Sequence, residues 1–270
     1  MITNLQIGYN GRLGNQLFQY AACYAIAKNL NVDFVIPLNN ETNIKEDGCW
    51  DHTNNKWIPY NFRMYEGFNI TAPQQNCPPL KTFSEPHFHY TSEFDSIQDN
   101  TSIQGYYQSE KYFLSCKEDI LKEFTFKSEI LDQALNFITP LKEKEVVAIH
   151  IRRGDNIVNP NFPLISMDYI QEAMNQFTDK EYTFLVISDD IEYCKQVFPE
   201  GVHYSEGHSD YIDMCLMSLS DHNIISNSSF SWWGAYLNSN PEKKVIAPNS
   251  WFKNPEVNTQ DLIPENWVRL

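Results

Sequence analysis

Apolar residues along the chain come in two alternating forms, short strand-like runs and longer stretches with helical spacing. The runs at 5–9, 32–37 and 102–107, and later at 146–150, 182–188, 223–226 and 245–248, have the length and β-branched or aromatic content of strands. Several lack polar alternation, as buried parallel strands do. Between them, residues 15–29, 110–124, 128–139, 166–177, 191–197, 210–219 and 230–238 read as helices. In the first, Leu17, Ala21, Tyr24 and Ala25 mark an apolar face. Strands that alternate with helices imply parallel sheets in an α/β protein. Pro140 and the charged residues Lys142, Glu143, Lys144 and Glu145 interrupt the pattern, so the expected boundary separates doubly wound halves at 1–141 and 142–270. Residues 39–100 fit neither form. They are rich in Asn, Pro and aromatics (Trp50, Trp57, Tyr60, Phe62, Tyr65, Phe68, Phe88, Tyr90), which either anchor loops or offer ring faces to a sugar.

The chemistry gathers where apolar runs stop. Val146, Val147, Ala148 and Ile149 lead into His150, Arg152, Arg153 and Asp155, which places charge at a strand's carboxyl end, where open α/β sheets bind ligands. Two guanidiniums there suit phosphate or carboxylate oxygens, and an Arg–Asp ion pair closing the strand is the alternative. His150 fits proton transfer or a supporting hydrogen bond. Gly11 and Gly14, followed by Asn15 and Gln16, form a glycine turn into a helix whose amides can face an anion. Asn227, Ser228, Ser229 and Phe230 open another helix, where the hydroxyls serve as caps or as a phosphate cradle. Trp232 and Trp233 read as core. Ser188, Asp189 and Asp190 end a further strand; adjacent side chains there point apart, which disfavours a shared metal and leaves one aspartate to cap the next helix. No Gly-Lys-Ser or Gly-Lys-Thr follows the first glycines, against a P-loop.

Charge narrows the class. With 20 basic and 35 acidic residues in 270, net charge −15, the chain lacks the positive footprint of a nucleic-acid binder. Positive potential for an anionic ligand must then be local, as at Arg152 and Arg153. No apolar stretch approaches the roughly 20 residues of a membrane span, and residues 1–30 lack a signal-peptide pattern. The expectation is a cytoplasmic protein without an integral membrane segment, working near the inner face of a bacterial membrane. Its six scattered cysteines are then free thiols.

Taken in order, the 11–21 segment, the Gly-Tyr-Tyr-Gln-Ser-Glu-Lys-Tyr-Phe run at 105–113, the 150–155 motif, Ser188-Asp189-Asp190, the 213–218 helix and the Ser-Phe-Ser-Trp-Trp-Gly run at 229–234 resemble the α-1,2-fucosyltransferases of glycosyltransferase family 11. The resemblance implies a GT-B fold of two Rossmann-like domains facing a cleft, the first on the acceptor side and the second binding GDP-fucose. It also implies inverting, metal-independent transfer of fucose to the 2-hydroxyl of a terminal β-galactoside, on an oligosaccharide or glycolipid. Gly14, Asn15, Gln16, Arg152, Arg153, Ser188, Asp189, Asn227, Ser228, Ser229 and Phe230 would then surround the donor. Arg152, Asp155 and His150 would be the catalytic candidates, with no cofactor beyond the donor substrate. An α-1,6 or protein O-fucosyl transferase shares the arginine motif and is the alternative, and a non-catalytic carbohydrate-binding protein would account for the aromatics alone.

Overall fold

The computed structural model describes residues 1–38, 48–51, 56–59, 62–77 and 80–270. Tyr60 and the side chains of Trp50 and Trp57, singled out above, lie outside the described residues. The chain forms two compact units, one comprising residues up to Thr125 with Val257–Pro264, the other Phe126–Glu256 with Glu265–Leu270. The passage between them at Thr125 and Phe126 comes ahead of the boundary expected after Leu141, because the helix Ser128–Ile138 packs with the helix Asp210–Leu219. Among the described residues no helix is long and apolar enough to cross a membrane.

The first unit is built on a parallel sheet in which Thr101–Gln104 lies between Ile2–Thr3 and Lys81–Ser84. Residues 5–9, expected as the first strand, are turns instead. The Asn4 side chain accepts the Gln6 amide at 2.8 Å and the Asn4 carbonyl accepts that of Ile7, so the strand ends at Thr3. Helix Leu13–Leu30 follows and is buried on most sides, while Tyr24 of the expected face is only partly covered. Ala21, Ala22, Ala25 and Ala27 are buried along it. Asn31 ends it in a left-handed conformation, its amide returning to the helix carbonyls. The helix expected over 110–124 breaks into 3₁₀ turns at Glu110–Tyr112 and Leu114–Cys116 before helix Lys117–Glu123, since Ser109 is extended and Phe113 departs from helical angles. Phe62 and Phe68 are buried anchors of the aromatic-rich stretch.

The second unit has six parallel strands in the order His203–Tyr204, Tyr182–Ser188, Glu145–Ile151, His222–Ile224, Val245–Ala247 and Val268–Arg269. Four match the sequence pattern or nearly so. His203–Tyr204 and Val268–Arg269, two residues each, carry no periodicity to read. On the central strand Val147, Ile149 and Ile151 join Ile170, Ala173, Phe177, Cys194 and Phe198 from helices Met167–Met174 and Ile191–Val197 and the turns after them. Val146, Ala148 and His150 occupy the opposite face, where the His150 ring meets Phe230 of helix Ser229–Tyr236. This is the two-faced covering that doubly wound sheets require. Trp232 and Trp233 are core, fully buried and edge-on to one another, with Trp232 stacked on Tyr236. Cys23, Cys77, Cys116, Cys194 and Cys215 are free thiols.

Helices Asp210–Leu219 and Ser229–Tyr236 touch at Gly234, where an added Cβ would lie 2.7 Å from Met217 Cβ. The obstructing atom is fixed to the backbone, so Gly234→Ala is expected to destabilise by about 1–3 kcal/mol despite alanine's better helix propensity. Thermal unfolding checks this, with a midpoint lowered by about 2–4 °C per kcal/mol.

Candidate active site

Strand register creates the site. Glu145–Ile151 and Tyr182–Ser188 run in parallel with Ile151 opposite Ser188, so both chains leave the sheet together, Arg152 beside Asp189. Arg152 is gripped from two sides, Nη1 donating to Asp189 and Nη2 to Asp155. The Arg153 amide donates to the other Asp189 oxygen at 2.8 Å, and its Nε donates to Asp190 at 2.9 Å. Below the Arg153 guanidinium lies the Tyr193 ring, 3.5 Å from centroid to carbon. Gly154 lets the turn pass, since a Cβ there would run into the Asp189 carboxylate. The Arg–Asp ion pair weighed from sequence is present, and it also presets the fork of an arginine at the carboxyl edge of the sheet, the edge at which open α/β sheets bind ligands.

Asp190 caps helix Ile191–Val197 by accepting the Tyr193 amide, while its own amide donates to Ser188 Oγ at 2.9 Å. Asp189 and Asp190 therefore serve different partners. Tyr193 was not singled out from sequence; its place one turn beyond Asp189 on a helix start was the available signal.

Neighbouring strand His222–Ile224 delivers the Ser226–Phe230 segment. His150 Nδ1 and Ser226 Oγ are 2.7 Å apart, and the imidazole is 4% exposed. Burial, reinforced by the charge of Arg152, depresses His150 to about 3, so it is neutral at working pH. A catalytic base needs a value nearer neutrality and access to the proton, which leaves His150 the supporting role. Asn227 is buried and donates to the carbonyls of Pro163 and Trp251 at 3.0 and 3.1 Å, pinning two loops. Ser228 precedes helix Ser229–Tyr236 but makes no side-chain cap, so its partly exposed hydroxyl is not committed to that bond. The structure thus gathers His150, Arg152, Arg153, Asp155, Ser188, Asp189 and the 227–230 turn at one edge of the second unit's sheet.

Gly14, Asn15 and Gln16 belong to the first unit. Gly14 lies inside helix Leu13–Leu30; the left-handed turn before it is carried by Gly8 and Gly11, with φ of 90° and 101°. Asn15 is partly exposed and accepts from Gln108 at 2.8 Å. Gln16 is buried, with its carbonyl oxygen accepting the Arg63 amide at 3.1 Å.

Two guanidiniums and a helix start at the carboxyl edge of a parallel α/β sheet are groups that suit the oxygens of a phosphorylated ligand. More narrowly, the family model for glycosyl transferase family 11 matches residues 2–270, and the chain belongs to that family of glycosyltransferases. An α-1,2-colitosyltransferase of Escherichia coli is 33% identical over 285 residues, 96% of each chain. A galactoside 2-alpha-L-fucosyltransferase, SEC1 of Bos taurus, is 25% identical over 260 residues, 86% of this chain and 63% of its own. Among solved structures, the NodZ α-1,6-fucosyltransferase crystallised with GDP superposes with a TM-score of 0.53 at 15% identity, covering 87% of this chain and 89% of that one. This last likeness is one of fold, the GT-B type expected from the sequence.

The depressed value of His150 has a thermodynamic consequence. Between about pH 6.5 and about 3 the unfolded chain takes up a proton that the folded chain refuses, so this group's contribution to stability is present above about 6.5 and lost as pH falls through that window. In His150→Gln the decline in stability on acidification from pH 6.5 to 4.5 is expected to be shallower, by up to about 1.4 kcal/mol per pH unit. Urea unfolding of both proteins across that range measures the difference.

Proposed function

We propose that the protein transfers L-fucose from GDP-β-L-fucose to the 2-hydroxyl of a terminal β-galactoside, with inversion and without a metal ion. The observation that carries this reading is the preset fork of Arg152 at the sheet edge, in a chain of family 11. As the glycosidic bond breaks, positive charge develops on the sugar and negative charge on the leaving diphosphate. A guanidinium meeting those oxygens stabilises the transition state more than the bound donor, and so raises kcat. Arg152 takes that role, Arg153 a second phosphate contact or the hold on the loop, and Ser228 with the following helix start a further phosphate contact. Asp155 and Asp189 orient Arg152. The donor sits on the second unit, the acceptor on the first.

A second reading keeps the reaction and changes the donated sugar to colitose, favoured by the 33% identity to the colitosyltransferase. Purified protein is incubated with GDP-fucose or GDP-colitose, a panel of β-galactosides and excess chelator, and the product linkage is determined by NMR. An α-1,2 product formed at an undiminished rate in chelator is expected. A 1,6 linkage, transfer to protein hydroxyls, or GDP binding without transfer would each overturn the proposal. The larger kcat/KM between the two donors decides the sugar.

Arg152→Ala is expected to lower kcat by about two to three orders of magnitude and to change the donor KM less. Arg152→Lys retains charge but loses the planar fork, and should remain poor. Steady-state kinetics on variants shown to be folded by circular dichroism tests both; retention of more than about a tenth of kcat in Arg152→Ala removes the residue from this role.

A further inference from the structure

The first unit has its own unusual construction at a sheet edge. Strands Lys81–Ser84 and Thr101–Gln104 are parallel with Ser84 opposite Gln104, and the residues just beyond them, Glu85 and Gly105, meet. Gly105 has a φ of 150°, and a Cβ on it would lie 2.5 Å from Glu85 Cβ. Two residues on, Tyr107 is left-handed with φ 53°, a conformation disfavoured for a bulky side chain. Glu85 holds this turn from one side, accepting the Tyr106 amide at 2.8 Å and the Tyr107 amide at 3.1 Å. Gln19 holds it from the other, donating to the Gly105 carbonyl at 3.0 Å. The Gln19 carbonyl oxygen, fully buried, has no partner among the described residues.

The arrangement sends two adjacent tyrosines in opposite directions. Tyr107 turns inward, fully buried, its hydroxyl donating to the Gln104 carbonyl. Tyr106 is turned out and is 38% exposed, among the more exposed large side chains of the unit. Tyr106 remains close enough to Glu85 for the carboxylate to add to the effect of burial in raising its phenol. Glu85 itself is pushed up to about 7 by burial. Its carboxylate offers about four acceptor sites. The Tyr106 amide, the Tyr107 amide shared between both oxygens at 3.1 and 3.2 Å, and the Tyr112 hydroxyl at 3.5 Å occupy all four.

An aromatic ring turned outward on a braced turn matches one face of a pyranose, which presents C–H groups there. We propose that Tyr106 forms a pyranoside-binding subsite of the first unit, its ring carrying the sugar face, with Glu85 as the positioning residue that sets the turn presenting the ring. The subsite deepens the reading of this unit as the acceptor side and rests on it for the sugar's role as acceptor.

Saturation-transfer NMR on the full chain, with methyl β-D-galactopyranoside as probe, tests binding without requiring turnover. Wild-type protein should transfer saturation to the probe and Tyr106→Ala should lose most of it, while Tyr106→Phe retains it. GDP affinity should stay within about twofold in all three. In transfer assays Tyr106→Ala and Glu85→Gln should raise the acceptor KM about tenfold and change kcat at saturating acceptor by less than about threefold. A merely structural role would lower kcat and acceptor affinity together with thermal stability. No saturation transfer to the wild type, or equal transfer to Tyr106→Ala, overturns the subsite. Absence of turnover with binding intact overturns the transferase reading and leaves the subsite standing.

Discussion

Two arginines at the end of one strand, in a protein of net charge −15, would be drawn to whatever carboxylates lie nearest, and the register of Ile151 against Ser188 decides which those are. Arg152 and Arg153 share three aspartates, and no two of these do the same thing. Asp155 grips one side of the Arg152 fork, Asp189 the other side together with the next amide, and Asp190 serves Arg153 and a helix start. Gly154 follows from this network, since a Cβ there would run into Asp189, and the Tyr193 ring lies under the Arg153 that Asp190 holds. An anionic ligand at this edge competes with carboxylates already in place. Its affinity then reflects a difference between two charge-assisted contacts, and discrimination among anions depends on geometry more than on total charge.

The second unit was largely legible in the sequence because its buried strands and amphipathic helices carry strong periods. Residues 182–188, 191–197 and 210–219 occupy the expected elements. Where side chains compete with the backbone, periodicity misleads. Residues 5–9 have a strand-like composition, yet the Asn4 side chain starts a turn that no apolar count detects. Glu85 was invisible for a related reason, as the strand before it is four residues long and mostly exposed, with one apolar residue. At the site, the charged motif and the aspartates were readable as residue types at strand ends. Which carboxylate meets which guanidinium depends on register, and no pattern within a single strand specifies register.

The return of Val257–Pro264 to the first unit ties the two units together in folding order. Within that segment Asp261 pairs with Lys111 and accepts the Tyr90 amide, and its carbonyl accepts from Ser109. The residues just after it supply strand Val268–Arg269 to the second unit. A ribosome releases the chain in sequence, so neither unit has its full set of contacts until residues 257–270 have emerged, although most of the first unit is made long before. Dissection into halves at a single cut leaves the first half without its clasp, wherever the cut falls between the two. A swap of second units between relatives therefore requires two junctions around 257–264, with that segment kept alongside the first unit it completes.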